Sequence, residues 1–213
     1  MKTLKIGFLR IFILLTVVFS LPSCLTVKGN LLQKTDPVTY ESPVDTNLVY
    51  IDVNYYEYAI GKVSEPAYSK VYTNKLNLEL VEILDGSNMF SNYSLDPDDR
   101  KMAKYAVELN MTETYNNTKV YTAGFFTGIS LGLIPTTFKS EFETELIVHD
   151  SDGKMIHRKL YKETLRAWNH LIFLPIVWTA FTVPNAMIRN MIWTSLKGIP
   201  FNEYETPESI VLN

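Results

Sequence analysis

EFETELIVHDSDGKMIHRKLYKETL, residues 141–165, decides the fold class of this chain. Glu141 to Val148 and Met155 to Leu165 read as two strands, and Asp152-Gly153 between them is the strongest hairpin signal in the sequence. Glu141, Glu143 and Glu145 alternate along one strand and mark its wet face. With Asp152-Gly153 as a two-residue turn, His149 faces Ile156 and His157 faces Val148. The two imidazoles then point to opposite faces and cannot share an ion, so no metal is expected.

Outward from the hairpin, the other elements follow from local pattern. Leu48 to Tyr58 (LVYIDVNYYEY) is aromatic and β-branched, as strands are. Ser64-Glu65-Pro66 predicts a helix start, and Tyr68, Tyr72, Leu76, Leu80 and Leu84 recur every four residues on one helical face. Asp85-Gly86-Ser87-Asn88 predicts its end, and Met89-Phe90 begins an extended piece. Pro97 to Arg100 reads as a charged turn or short helical start. Lys104 to Thr114 predicts a strand with Tyr105, Val107, Leu109 and Met111 on one face. Strand, helix, strand, strand and hairpin make an α+β layer fold: a small mixed or antiparallel sheet with one long helix packed on it. The 213 residues suffice for one such domain, expected over 47–200 with a C-terminal tail at 201–213.

Two uncharged segments flank the hairpin: Val120 to Phe138 (VYTAGFFTGISLGLIPTTF) and Ala167 to Ile188 (AWNHLIFLPIVWTAFTVPNAMI). Because a hairpin's two ends lie side by side, both segments must leave the domain at one edge. Both are long enough to span a bilayer, but Pro135, Pro175 and Pro184 interrupt them, and two spans would strand the hairpin across the membrane from its sheet. Membrane-facing strands would alternate apolar with polar, and LIFLPIVW does not. Short helices, buried on the sheet or resting on a membrane, are expected. Gly124, Gly128 and Gly132 are spaced by four; on a helix they form a flat ridge for helix packing, and between strands they would be loop glycines.

Gly128-Ile129-Ser130-Leu131-Gly132 has the G-x-S-x-G form of a nucleophile elbow, which needs a strand before the serine and a long helix after it. Pro135 cuts any such helix short, and the strands do not supply the large parallel sheet the motif sits on. No catalytic residues are expected, and the chain is not read as an enzyme. The formal charge of −3, with no basic stripe, gives nucleic acid nothing to bind.

The N-terminus carries a different signal. Lys2, Lys5 and Arg10 precede an apolar core, Ile11 to Phe19, too short to span a bilayer well. Leu21-Pro22-Ser23-Cys24 follows and contains the one cysteine of the chain. This resembles the lipobox of bacterial lipoproteins, in which a leucine three positions before the cysteine and a small residue just before it guide signal peptidase II. Leu21 and Ser23 match those positions; Pro22 departs from the commonest residue at its own. The resemblance implies that residues 1–23 are a lipoprotein signal peptide and that Cys24 becomes the first mature residue, its sulfur bonded to lipid. The alternatives are an ordinary signal peptide or an anchor helix with a bystander cysteine. Loss of Lys2, Lys5 and Arg10 with the leader takes the formal charge from −3 to −6. Leu25, where an aspartate would retain an enterobacterial lipoprotein at the inner membrane, implies an outer-membrane destination with a periplasmic domain. Residues 24–46, polar with two prolines, are expected to be a tether between lipid and fold.

A second resemblance covers about residues 48–165. LVEILDGSNMF followed by AKYAVELNMTETY is similar to the helix-to-strand passage of curli-secretion-type and polysaccharide-export periplasmic lipoproteins, with Asn88-Met89-Phe90 and Ala103-Lys104-Tyr105 in the matching places. It implies a ring-forming or complex-forming envelope component without catalysis. The expected function is therefore a lipid-anchored envelope lipoprotein with a structural or interaction role, including self-association. Membrane lipid and other copies or envelope proteins are its partners, and the lipid on Cys24 is its one attached group. An accessory lipoprotein of an export system and a small-ligand carrier are the alternatives.

Overall fold

The computed structural model describes residues 24–29, 31–35, 38–130, 133–170 and 179–199. The leader, with Leu21 and Ser23, the tail 201–213 and Gly132 lie outside the described residues. Helices α1 (Lys70–Ser87), α2 (Asn117–Ile129) and α3 (Thr179–Lys197) accompany one mixed sheet of seven strands. The fold is α+β.

The sheet is built around β2 (Asp45–Ile60) and β5 (Tyr105–Asn116), which run parallel from Val49↔Tyr105 to Ile60↔Asn116. A parallel pair cannot be closed by a tight turn. Here α1 leads away from β2 and returns the chain as β4 (Phe90–Ser94), parallel to β2 on its other side. The short 3-10 turn Pro97–Lys101 then carries it across to β5. β5 pairs antiparallel with β6 (Thr136–Asp150), and β6 with β7 (Met155–Asn169), so the hairpin is the longest pairing in the sheet. Gly153 supplies the positive φ of its turn. The connection is longer than two residues, however: Asp150 N–H donates to the Lys154 carbonyl, and the register shifts so that His149 pairs with Met155 and Ile156 is the extra residue. Val148 still faces His157, as expected.

One face of the sheet is dry. Cross-strand rows such as Val53–Leu109–Leu146 and Ile51–Val107–Val148 are almost wholly buried. Leu76, Leu80, Ile83 and Leu84 of α1 and Met187, Met191, Ile192 and Leu196 of α3 complete this core. Arg189 of α3 spans the two helices, donating to Glu79 at 3.0 Å and Glu82 at 2.5 Å. The opposite face is wet, as the alternating glutamates imply: Glu143 pairs with Lys162, Glu145 with Arg158 and Glu141 with Lys139.

Two expectations need correction. The helix starts at Lys70, not near Pro66, because Ala67–Tyr68 instead forms a short strand (β3) on β2, with Tyr68 edge-on to Tyr56. Ser69 is the N-cap residue. More consequentially, residues 24–46 are no free tether. Cys24–Lys28 is β1, the edge strand beside β7, and the chain beyond it is strapped across the helices. Asn190 Oδ1 accepts from Thr35 N–H at 2.8 Å, Tyr40 N–H donates to the Ser87 carbonyl, and Val44 N–H to that of Met89. Leu32, Tyr40 and Val44 peg this strap to the core. Its polar composition conceals a segment held by main-chain bonds and a few apolar contacts.

Candidate functional site

The end of the sheet where the hairpin opens gathers most of the residues singled out from sequence. Cys24 is opposite Asn169, and Asn169 is opposite Thr136, so three neighbouring strands begin or end in one row. At about 4.8 Å per strand spacing, the Cys24 backbone lies roughly 10 Å from that of Thr136. Thr136 Oγ1 is 2.7 Å from Thr127 Oγ1 of α2, which ties the helix to the same end. β2 and β5 terminate there too, at the Ile60↔Asn116 pair. The deduction that the two apolar segments leave at one edge is met by the Thr136↔Asn169 pairing. Their outlines differ from those expected, since 136–138 and 167–169 belong to strands and the helices run 117–129 and 179–197. Among the described residues, no helix is long and apolar enough to cross a membrane.

The two helices treat their apolar residues in opposite ways. α3 buries Met187, Met191, Ile192 and Trp193 although Pro184 interrupts its first turns. α2 buries Ala123 alone. Tyr121 is 65% exposed, Phe125 64% and Ile129 63%, and Leu133 just beyond the helix is 65% exposed. These three helical positions are four apart and form one stripe. Gly124 and Gly128 lie on the same helix, and a Cβ added at either would meet nothing within 4 Å. Among the described residues, nothing occupies the ridge they form.

Glu163 is the residue that sequence reasoning missed. Its side chain is fully buried, in the row Glu113–Phe142–Glu163 on the dry face. There it accepts from Leu31 N–H at 3.4 Å, Leu32 N–H at 3.2 Å and Thr164 N–H at 2.8 Å, with Lys28 Nζ at 3.5 Å. A buried carboxylate needs hydrogen-bond partners of this kind to offset its loss of water. Gly29 makes the close approach possible: its N–H donates to the Thr164 carbonyl at 2.7 Å, and a Cβ would lie 2.1 Å from Thr164 Oγ1. Glu163 thus clamps the chain just after β1, fixing where Cys24 emerges. The available signal was a glutamate in phase with Tyr161 and Leu165.

Ser130 and the histidines His149 and His157 are set at opposite ends of the sheet. Ser130 caps the C-terminus of α2, so a helix and not a strand precedes it, and its hydroxyl donates to the Phe126 carbonyl at 2.6 Å. That is not a nucleophile elbow. His149 Nδ1 is 3.8 Å from Glu108, while His157 falls on the other face through its pairing with Val148. Among the described residues, no three metal-capable side chains come together. Two concavities lie beside the helices. One, of about 160 Å³, lies beside Tyr55, Tyr72, Glu113 and Phe142; Tyr55 donates to Glu113 at 2.5 Å, and burial with the adjoining carboxylate pushes its phenol far up. The other, of about 560 Å³, runs between α1, α3 and the strap, near Glu82, Met187 and Trp193.

No protein-family model and no curated protein matches this chain. Among solved structures, it is similar to a neuraminyllactose-binding hemagglutinin homolog from Helicobacter pylori, at 10% identity and a TM-score of 0.44, covering 81% of this chain and 97% of that one. It is also similar to the PelC dodecamer from Paraburkholderia phytofirmans, at 10% identity and a TM-score of 0.32, covering 81% and 98%. Both scores are below 0.5, so neither likeness bears on what this chain does.

Proposed function

We propose that this chain is a lipid-anchored lipoprotein of the bacterial outer membrane, its α+β domain facing the periplasm in a structural or interaction role. The lipobox-like Leu21-Pro22-Ser23-Cys24 after the Ile11–Phe19 core is the observation that carries the reading. Each buried methylene of an acyl chain contributes about 0.8 kcal/mol, and two or three chains would hold the protein stably where one would not. The single cysteine then has its use, since its sulfur is taken by lipid.

Metabolic palmitate labelling of the wild type beside Cys24→Ala tests this. Label in the wild type alone is expected, together with a mature mass that lacks residues 1–23. Equal label in both, or a mature chain that begins at Met1 with a free thiol, would overturn it. A small-ligand carrier is the second reading, favoured by the aromatic cavity beside Tyr55 and Tyr72. Solution mass over a range of concentrations separates assembly from a monomeric carrier, and solvent extraction of the purified protein would release any bound ligand.

A further inference from the structure

We infer that the end of the sheet bearing Cys24 lies on the bilayer, and that the exposed stripe of α2 enters the boundary between headgroups and acyl chains as a second attachment. This rests on the reading of Cys24 as the lipidated residue.

The stripe itself is the first observation. Tyr121, Phe125 and Ile129, with Phe126 beside them and Leu133 and Ile134 after the helix, are all exposed. A water-facing helix normally carries charge on its outer side. Here no charged residue occurs between Lys119 and Lys139. An exposed apolar patch of this kind marks an interaction site.

The second observation names the occupant. Cys24 itself is paired in the sheet, opposite Asn169, and the Glu163 clamp and the strap prevent the segment that follows from serving as a spacer. The backbone of Cys24 therefore lies in the same row of strand partners as Thr136, to which α2 is bonded. A face this near an acyl anchor cannot stand clear of the membrane. Trp168, exposed and one residue in from that row, suits the headgroup level, where tryptophan is enriched.

The third observation is the contrast between the two ends of the sheet. The far end holds the hairpin turn with Asp150, Asp152 and Lys154, and the 3-10 turn with Asp98, Asp99, Arg100 and Lys101. The end bearing Cys24 holds charges of its own, Lys62, Glu65 and Lys119, and it differs from the far end in carrying the uncharged run 120–138.

The test uses full-length lipidated protein in vesicles of phosphatidylethanolamine and phosphatidylglycerol containing doxyl-labelled lipid. Since the Cys24 sulfur is occupied, Phe125→Cys and Ile129→Cys each offer a single thiol for an environment-sensitive fluorophore, and Ser151→Cys provides the far-end reference. Several-fold stronger doxyl quenching and a blue shift at 125 and 129 relative to 151 are expected. Equal quenching at all three positions would overturn the inference. So would shielding of 125 and 129 from both doxyl lipid and aqueous iodide, which would assign the stripe to another protein surface. Dye on the wild-type chain would defeat the Cys24 reading alone. The stripe would then be judged by the same labels in a Cys24→Ser background mixed with the same vesicles, where quenching supports it and its absence overturns it.

Discussion

Replacing Glu163 with alanine tests whether the first residues after Cys24 belong to the fold. The carboxylate is fully buried and holds three main-chain N–H groups and Lys28. Its removal leaves the Leu31 and Leu32 donors without this acceptor and takes the carboxylate from the Lys28 ammonium, which keeps the Leu32 carbonyl at 3.3 Å. Leaving a buried donor unsatisfied costs about 1–3 kcal/mol, so with two donors the loss of this carboxylate is expected to cost roughly 3–5 kcal/mol in all. For a domain of this size each kcal/mol moves Tm by about 2–4 °C, so the expected fall is roughly 6–20 °C. Glu163→Gln keeps the shape and an acceptor oxygen but gives up the charge and turns an amide toward donors, so its fall is smaller, about 1–3 kcal/mol. Thermal unfolding followed by circular dichroism measures both. Limited proteolysis supplies the local readout, with cleavage within 28–44 expected to accelerate in both variants. If Glu163→Ala melts within 2 °C of the wild type and is cut no faster in that segment, the clamp is not what holds the strap.

Other outcomes follow from the same geometry. Gly29→Ala places a methyl 2.1 Å from Thr164 Oγ1 and 2.8 Å from Glu163 Oε1, so a loss of about 1–3 kcal/mol in chemical denaturation is expected, with the same local proteolysis as Glu163→Ala. Gly124→Ala meets nothing within 4 Å and replaces a helical glycine, so it should stabilise the chain by about 0.5–1 kcal/mol in the same assay. Leu80→Ala, at a fully buried position under the sheet, should cost about 2–5 kcal/mol. Phe125→Gln, on the exposed stripe of α2, should stay within about 0.5 kcal/mol of wild type in solution; a large loss would mean that the stripe packs against the domain.

The elements that the sequence by itself determined are those whose signal is local. Leu76, Leu80 and Leu84 are buried on one face of α1, and Tyr105, Val107, Leu109 and Met111 on one face of β5, because the backbone period alone decides which side chains share a side. Asp152-Gly153 marked the hairpin, which the pairing of β6 with β7 bears out. What only the tertiary structure decided depends on partners distant in the chain. Cys24–Lys28 is a strand because β7 offers it an edge, and the strap after it is held by Glu163 and Asn190, more than a hundred residues away. Tyr68 has the spacing of α1 yet pairs with β2, since a neighbouring strand outbids one more helical turn. α2 and α3 are alike in apolar composition, but α3 finds the open part of the sheet and buries its methionines, while α2, held at the sheet's end through Thr136, has no sheet face left to cover. Hydrophobic periodicity specifies which side of an element seeks cover; whether cover is there depends on where the other strands lie.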